Sequence, residues 1–265
     1  QNLNTGTLFT AEQLLTVLRR HFQPLNPSDF PQLANHFLQA CGFAKPIADD
    51  LGASTLKSLR KAFQDKPLNP YDPTSAHCRY ILIVDPTDSE ASVDILKGLQ
   101  LFDSTLSHTA RDGETFASAT TCYQSISDFP EDKEVRRQAD VLGEISNAIE
   151  TGKTLLLSNS GPIQSSLYDL INRYYQILTT NGNKAAFTNI ALGSFSRQVR
   201  VHPEFRLVII VKKSEVLGTP LPFLNRFEKY TLSIQDVFQQ RLSEVIQNPT
   251  KLLLDAFKNS SANIK

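Results

Sequence analysis

An α/β fold, with a mostly parallel sheet flanked by helices, is what this sequence predicts, and three observations predict it. The short apolar runs Tyr80-Ile81-Leu82-Ile83-Val84, Leu155-Leu156-Leu157 and Leu207-Val208-Ile209-Ile210-Val211 have the character of strands covered on both faces. Segments of helical period lie between them, and strands that alternate with helices build parallel sheets. Residues 1–75 show helical patterning broken by Pro and Gly, so an N-terminal helical segment precedes the sheet.

In chain order, Thr10-Ala11-Glu12-Gln13 has the form of a capping box before Leu14, Leu15, Leu18 and Phe22, which share one helix face. Asn26-Pro27-Ser28 breaks the chain. A second helix is expected to carry Leu33, Phe37 and Cys41 inward and to stop at Gly42. A third, over 54–64, places Leu56, Leu59 and Phe63 on one side. The run Lys66-Pro67-Leu68-Asn69-Pro70-Tyr71-Asp72-Pro73 cannot continue a helix and marks the domain boundary. The first strand follows at 80–84. The second core strand has no clear signature, because residues 114–123 are rich in Thr, Ser and Ala without alternation.

Asp128-Phe129-Pro130-Glu131 is expected to cap a helix carrying Val135, Leu142, Ile145 and Ile149. Beyond the strand at 155–157, a helix from Ile163 to about Leu178 would align Ile163, Leu167, Leu170, Ile171, Tyr174 and Leu178. Residues 185–192 and 197–201 flank Gly193-Ser194 as a β-hairpin. The strand at 207–211 comes next, and a helical pattern over 235–247 follows it.

Composition narrows the function. Lys plus Arg and Asp plus Glu are 27 each, so no basic field points to a nucleic acid partner. The hydrophobic fraction is 40%, and no apolar run reaches the ~18–20 residues of a membrane span. Gln1-Asn2-Leu3-Asn4-Thr5 has no signal-peptide pattern. Cys41, Cys78 and Cys122 are scattered and fit neither a disulfide framework nor a Cys-x-x-Cys site. A cytoplasmic chain is expected. There is no methionine, which suggests a piece of something longer.

Open α/β sheets bind ligands beyond the carboxyl ends of their strands. The first strand ends in Asp85-Pro86-Thr87-Asp88-Ser89-Glu90, whereas a phosphate-binding loop needs glycines and a lysine. Three carboxylates there would repel a triphosphate. The end at Leu157-Ser158-Asn159-Ser160 lacks the acidic pair that would hold magnesium and orient water. Gly152-Lys153-Thr154 matches the end of a P-loop, but Asn147 stands where the first glycine is needed and the tripeptide runs from helix to strand, the inverse order. It reads as a helix C-cap leading into a buried strand.

A hydrolase is the alternative enzyme. Ser160, Asp169 and His202 follow in α/β-hydrolase order, but Ser158 and Pro162 stand where the nucleophile elbow wants glycines. Ser160 reads better as a helix N-cap and His202, before Pro203, as a turn residue. His77 and Cys78 have no neighbours to complete a metal shell.

His202-Pro203-Glu204-Phe205-Arg206-Leu207 followed by Leu221-Pro222-Phe223-Leu224-Asn225-Arg226-Phe227-Glu228-Lys229-Tyr230 resembles the dynein and midasin branch of AAA+ proteins. There a similar segment leads into the fourth core strand, and Asn-Arg-Phe carries the arginine finger. A closer resemblance covers 128–234. Phe129-Pro130-Glu131-Asp132-Lys133-Glu134, Glu150-Thr151-Gly152-Lys153-Thr154, Ser166-Leu167-Tyr168-Asp169-Leu170-Ile171-Asn172-Arg173-Tyr174-Tyr175, Arg200-Val201-His202-Pro203 and Leu224-Asn225-Arg226-Phe227-Glu228-Lys229 are similar to a nucleotide-free module of the mysterin family, the giant RING-finger AAA+ ubiquitin ligases.

The resemblance implies an AAA+ core with a β-hairpin insertion, one of six units on a single polypeptide. Residues 1–75 would be the helical lid of the preceding unit or a linker, 76–234 the degenerate α/β core, and 235–265 the start of its own lid. Lys212-Lys213 occupies the region of the usual polar sensor. Arg226 would act in trans on the ATP of the preceding unit, or pair with Glu228 or another acid at an interface. Arg19 and Arg20, on a lid, could reach that nucleotide or form a solvated helix face. ATP and Mg would belong to neighbouring modules, zinc and the ubiquitin machinery to other parts of the parent, and no cofactor to this chain. A pure interaction scaffold is the third reading.

Overall fold

A computed structural model describes residues 10–22, 30–43, 55–64, 70–71, 79–89, 91–99, 121–126, 130, 134–192, 195–238 and 242. Its centre is a five-stranded, wholly parallel sheet in the order β2-β3-β7-β1-β8. The strands are β1 (Tyr80–Asp85), β2 (Thr121–Ser125), β3 (Thr154–Ser158), β7 (Arg206–Lys212) and β8 (Phe227–Thr231). The continuous apolar runs are explained by the pleat. Leu82, Leu155, Leu157, Leu207, Ile209 and Val211 enter one hydrophobic cluster, while Ile81, Ile83, Leu156, Val208 and Ile210 enter another on the opposite face. Each side chain so buried contributes about 1.5–3 kcal/mol relative to exposure.

Helices α3 (Thr55–Gln64) and α4 (Ala91–Gly98) cover the second face. Leu56 and Leu59 of α3 are fully buried there with Tyr230 and Leu232. Arg206 donates from Nη1 to the Ala62 carbonyl at 2.9 Å. The proline-rich run at 66–73 therefore separates α3 from β1 in sequence but not in the core. Helix α5 (Val135–Thr151) covers the first face through Val141, Leu142, Ile145, Ala148 and Ile149. It starts at Val135, which is 80% exposed rather than part of the core. Its N-cap residue is Glu134, whose side chain makes no cap hydrogen bond, which corrects the cap expected at 128–131; Asp128, Phe129 and Glu131 themselves lie outside the described residues.

Gly152 ends α5 as expected. Its φ of 72° is left-handed, and its N–H and that of Lys153 both reach the Ala148 carbonyl. A Cβ at this position would meet Nδ1 of His202 at 2.3 Å. The strand β3 follows directly.

The helix expected to run from Ile163 to Leu178 is not there. A 3-10 turn at Gly161–Ile163 leads to a short α6 (Tyr168–Asn172), which Arg173 ends at a φ of 60°. Residues 176–180 form a strand instead. Asn181 and Gly182, at φ 52° and 80°, make the two-residue turn that favours a hairpin. They join β4 (Gln176–Thr180) to β5 (Asn183–Leu192). The predicted hairpin is present as β5 and β6 (Phe195–Arg200), although Gly193-Ser194 lies outside the described residues. The result is a second, antiparallel sheet, β4-β5-β6. Its Ala186, Ile190 and Val199 pack into the first cluster.

The N-terminal capping box is formed. Thr10 N–H donates to Gln13 Oε1 at 2.9 Å, and Gln13 N–H to Thr10 Oγ1 at 3.2 Å, at the start of α1 (Ala11–Phe22). Helix α2 (Phe30–Ala40) turns a different face inward from the one expected. Phe30, Ala34 and Leu38 are buried, and Phe30 and Ala34 pack with Leu18 of α1. Leu33 and Phe37 are half-exposed and Cys41 is exposed. The sequence offers two overlapping i, i+4 stripes, and Ala34 lets α1 approach closely along the inner one. No described helix is long and apolar enough to cross a membrane. Residues 234–238 begin the expected C-terminal helix, most of which lies outside the described residues.

Candidate functional site

The chain leaves β1 for β2 on one flank of the sheet and leaves β7 for β8 on the other. The strand order therefore reverses between β1 and β7, and their carboxyl ends bound the crevice where such folds bind ligands. In register these ends are Asp85 beside Lys212.

Asp85 is buried, at 1% exposure. Its Oδ1 accepts the Thr87 N–H at 2.8 Å and the Thr87 hydroxyl at 2.6 Å, and its Oδ2 accepts the Ser92 N–H at 3.0 Å. Ser92 lies in the first turn of α4, where free N–H groups would favour an anion. The chain's own carboxylate occupies that position. Burial pushes the carboxyl up, but the hydrogen bonds from Thr87 and Ser92 outweigh it and hold the carboxyl below its ordinary value. Asp88, at a φ of 55°, accepts the Ser214 N–H at 3.2 Å and ties the turn to α7 (Lys213–Val216). Lys212 leans to Glu215 at 4.0 Å.

The end of β3 is also occupied by its own contacts. The buried Ser158 hydroxyl is 3.0 Å from the Tyr123 hydroxyl, and Asn159 donates from Nδ2 to Ser125 Oγ at 3.4 Å. Ser160 is buried at the N-cap position of the 3-10 turn, but its side chain makes no cap hydrogen bond, which corrects the expected cap. It accepts from Gln164 Nε2 at 3.4 Å.

Ser160, Asp169 and His202 are not brought together. Thr154 pairs with Arg206 and Ser158 with Ile210, so Ser160 and His202 lie beyond opposite ends of β3, on the order of 13 Å apart by strand rise alone. His202 is held at Gly152, its N–H on the Ile149 carbonyl and its Nδ1 accepting from Glu204 N–H at 3.1 Å. Asp169 accepts from Asn189 Nδ2 at 3.2 Å. The relay required for an activated serine is absent from this geometry. Among the described residues no group of three or more His, Cys, Asp or Glu could hold a metal; His77 and Cys78 lie outside them, as do the side chains of Arg19 and Arg20.

Arg226 sits in the turn between α8 (Leu221–Leu224) and β8. Because Phe227 pairs with Tyr80, Arg226 is at the amino end of β1, about 17 Å along the strand from Asp85. It cannot serve the crevice of its own sheet. Its Nη1 donates to the Pro222 carbonyl at 2.7 Å, and its guanidinium carbon lies 5.1 Å from the centroid of the Tyr168 ring. Arg79 donates to the Asn225 carbonyl at 2.8 Å and braces the turn. Glu228, the expected partner of Arg226, is buried and accepts the Tyr230 hydroxyl, because residues 228 and 230 share one face of β8. Tyr168 was not legible as a partner, since nothing in local spacing links α6 to a turn so distant in sequence.

The family model of the RNF213 AAA domain matches residues 73–238. A putative uncharacterized transmembrane protein of Dictyostelium discoideum is 31% identical over 245 residues, 90% of this chain and 4% of that protein. The E3 ubiquitin-protein ligase RNF213 of Homo sapiens is 35% identical over 122 residues, 46% of this chain and 2% of that protein. The E3 ubiquitin-protein ligase rnf213-beta of Danio rerio is 29% identical over 154 residues, 58% of this chain and 3% of that protein. The chain thus spans 4% or less of the length of these relatives.

Proposed function

The chain belongs to the RNF213 AAA domain family, and we propose that it is a non-hydrolysing AAA+ unit of a large E3 ubiquitin ligase, whose Arg226 faces the ATP site of the preceding unit. The observation that carries this reading is the Asp85 carboxylate seated on Thr87 and Ser92. A phosphate at the same place would meet a buried negative charge and N–H groups already engaged. The unit then needs no nucleotide of its own to hold its shape.

ATP and Mg belong, on this reading, to neighbouring AAA+ units, which are the chain's direct partners. Zinc, ubiquitin transfer and its partners belong to other segments of the parent, and the parent is cytoplasmic. The position of Arg226 at the amino end of β1 supports action in trans, since a guanidinium there points away from its own crevice. A finger of this kind contributes ~10³–10⁵ in rate in GTPases.

A specific contact favours a second reading. The Arg226 guanidinium already engages Pro222 and Tyr168, as a purely structural residue in an interaction scaffold would. ATP turnover by the full-length parent separates the two. Arg226→Ala and Arg226→Lys should both depress turnover if the guanidinium meets nucleotide. Unchanged turnover with the fold intact leaves the scaffold.

A further inference from the structure

The two edges of the antiparallel sheet are treated differently. Edge β6 faces α5, where Arg197 reaches Glu150 at 3.8 Å. Edge β4 has neither Pro nor a charged residue over Gln176–Thr180, although natural edge strands are usually blunted by such devices. Its outward side follows from the turn. Thr180 and Asn183 flank the two-residue Asn181-Gly182 turn and so exchange hydrogen bonds, as Leu178 does with Ala185. Ile177 and Thr179 therefore direct their backbone N–H and C=O groups away from β5. Ile177 and Leu178, on opposite faces of the strand, are each 49% exposed.

Charge selects what could pair there. Lys184, opposite Thr179 in the ladder, and Arg200, opposite the Phe187 that pairs with Gln176, are exposed cations beside β4, whereas Arg197 is met by Glu150. Asp169 accepts from Asn189. We propose that β4 accepts an extended, acidic segment of a partner protein as a fourth strand. The backbone of Ile177 and Thr179 supplies the ladder, Ile177 and Leu178 supply apolar contact on the two faces, and Lys184 and Arg200 select acidic side chains. This inference does not depend on how Arg226 acts.

The test is fluorescence anisotropy on the 265-residue chain with a fluorescein-labelled heptapeptide alternating Glu and Val. Saturable binding is expected, weakened about tenfold or more when Lys replaces Glu in the peptide. Thr179→Pro, which removes one outward N–H, and Leu178→Glu should each weaken it by about tenfold while far-UV circular dichroism stays unchanged. Absence of saturable binding by the chain would overturn the proposal. So would equal affinity for the Lys peptide, or indifference of either correctly folded variant. Dimerisation of the chain through β4 would overturn it as well, by making a second copy the occupant.

Discussion

Arg226 rests its guanidinium over the ring of Tyr168, 5.1 Å from the centroid, while its Nη1 donates to the Pro222 carbonyl. Two contacts on an arginine outside the core fix the direction in which it points. Tyr168→Leu keeps apolar volume but removes the ring's quadrupole, and should cost about 0.5–1 kcal/mol in urea unfolding. Tyr168→Phe should be close to neutral. On the proposed finger reading, Tyr168→Leu in the full-length parent should lower ATP turnover less than Arg226→Ala, because it misdirects the cation without removing it.

Asp85 makes a separate prediction through pH. Its folded-state carboxyl is held below the ordinary value of 3.8. A depressed carboxylate contributes stability that is present above its unfolded value and lost as pH falls through the folded one. The chain should therefore lose an Asp85-dependent increment of stability below about pH 4. Asp85→Asn turns one acceptor into a donor facing N–H groups, so it should cost about 1–3 kcal/mol at neutral pH. The difference between the two proteins should shrink as the medium is acidified. Urea unfolding at a series of pH values measures both effects.

Gly152 should tolerate no side chain. Its φ of 72° disfavours any L-residue, and an added Cβ would press on the His202 imidazole. Gly152→Ala should cost about 1–2 kcal/mol for the left-handed backbone alone, with a steric increment above that. The increment should vanish in a His202→Ala background while the backbone cost remains. A double-mutant cycle on unfolding free energies reads the two apart.

Much of the architecture was legible because it is written in local period. The runs at 80–84, 155–157 and 207–211 have the length and continuous apolar character of strands covered on both faces, and Thr10 with Gln13 announced a capping box that the structure forms. Errors arose where two local signals competed. Ile163, Leu167, Leu170 and Ile171 do share a buried surface, but Arg173 ends the helix and the Asn181-Gly182 turn overrides the helical pattern beyond it. That turn, with Ile177 and Thr179 ahead of it, is a hairpin signal stronger than the helical one. On α2 the choice between Leu33 with Phe37 and Phe30 with Leu38 depended on α1, which no window on α2 contains.

The candidate site was legible in part for the same reason. The acidic, glycine-free turn after β1 could be read as unfit for phosphate, but not that Asp85 would itself take the Thr87 and Ser92 N–H groups. The position of Arg226 near the start of a strand was readable. Its contact with Tyr168, and the burial of Glu228 that removes the expected partner, are tertiary facts with no counterpart in sequence spacing.

Calorimetric titration of the 265-residue chain with MgATP tests the central claim most directly. A unit whose Thr87 and Ser92 N–H groups are taken by Asp85 should show no saturable heat of binding with either ATP or ADP. Saturable binding of micromolar affinity, abolished by a substitution at the Thr87–Ser92 turn, would contradict it and make this unit a nucleotide holder in its own right.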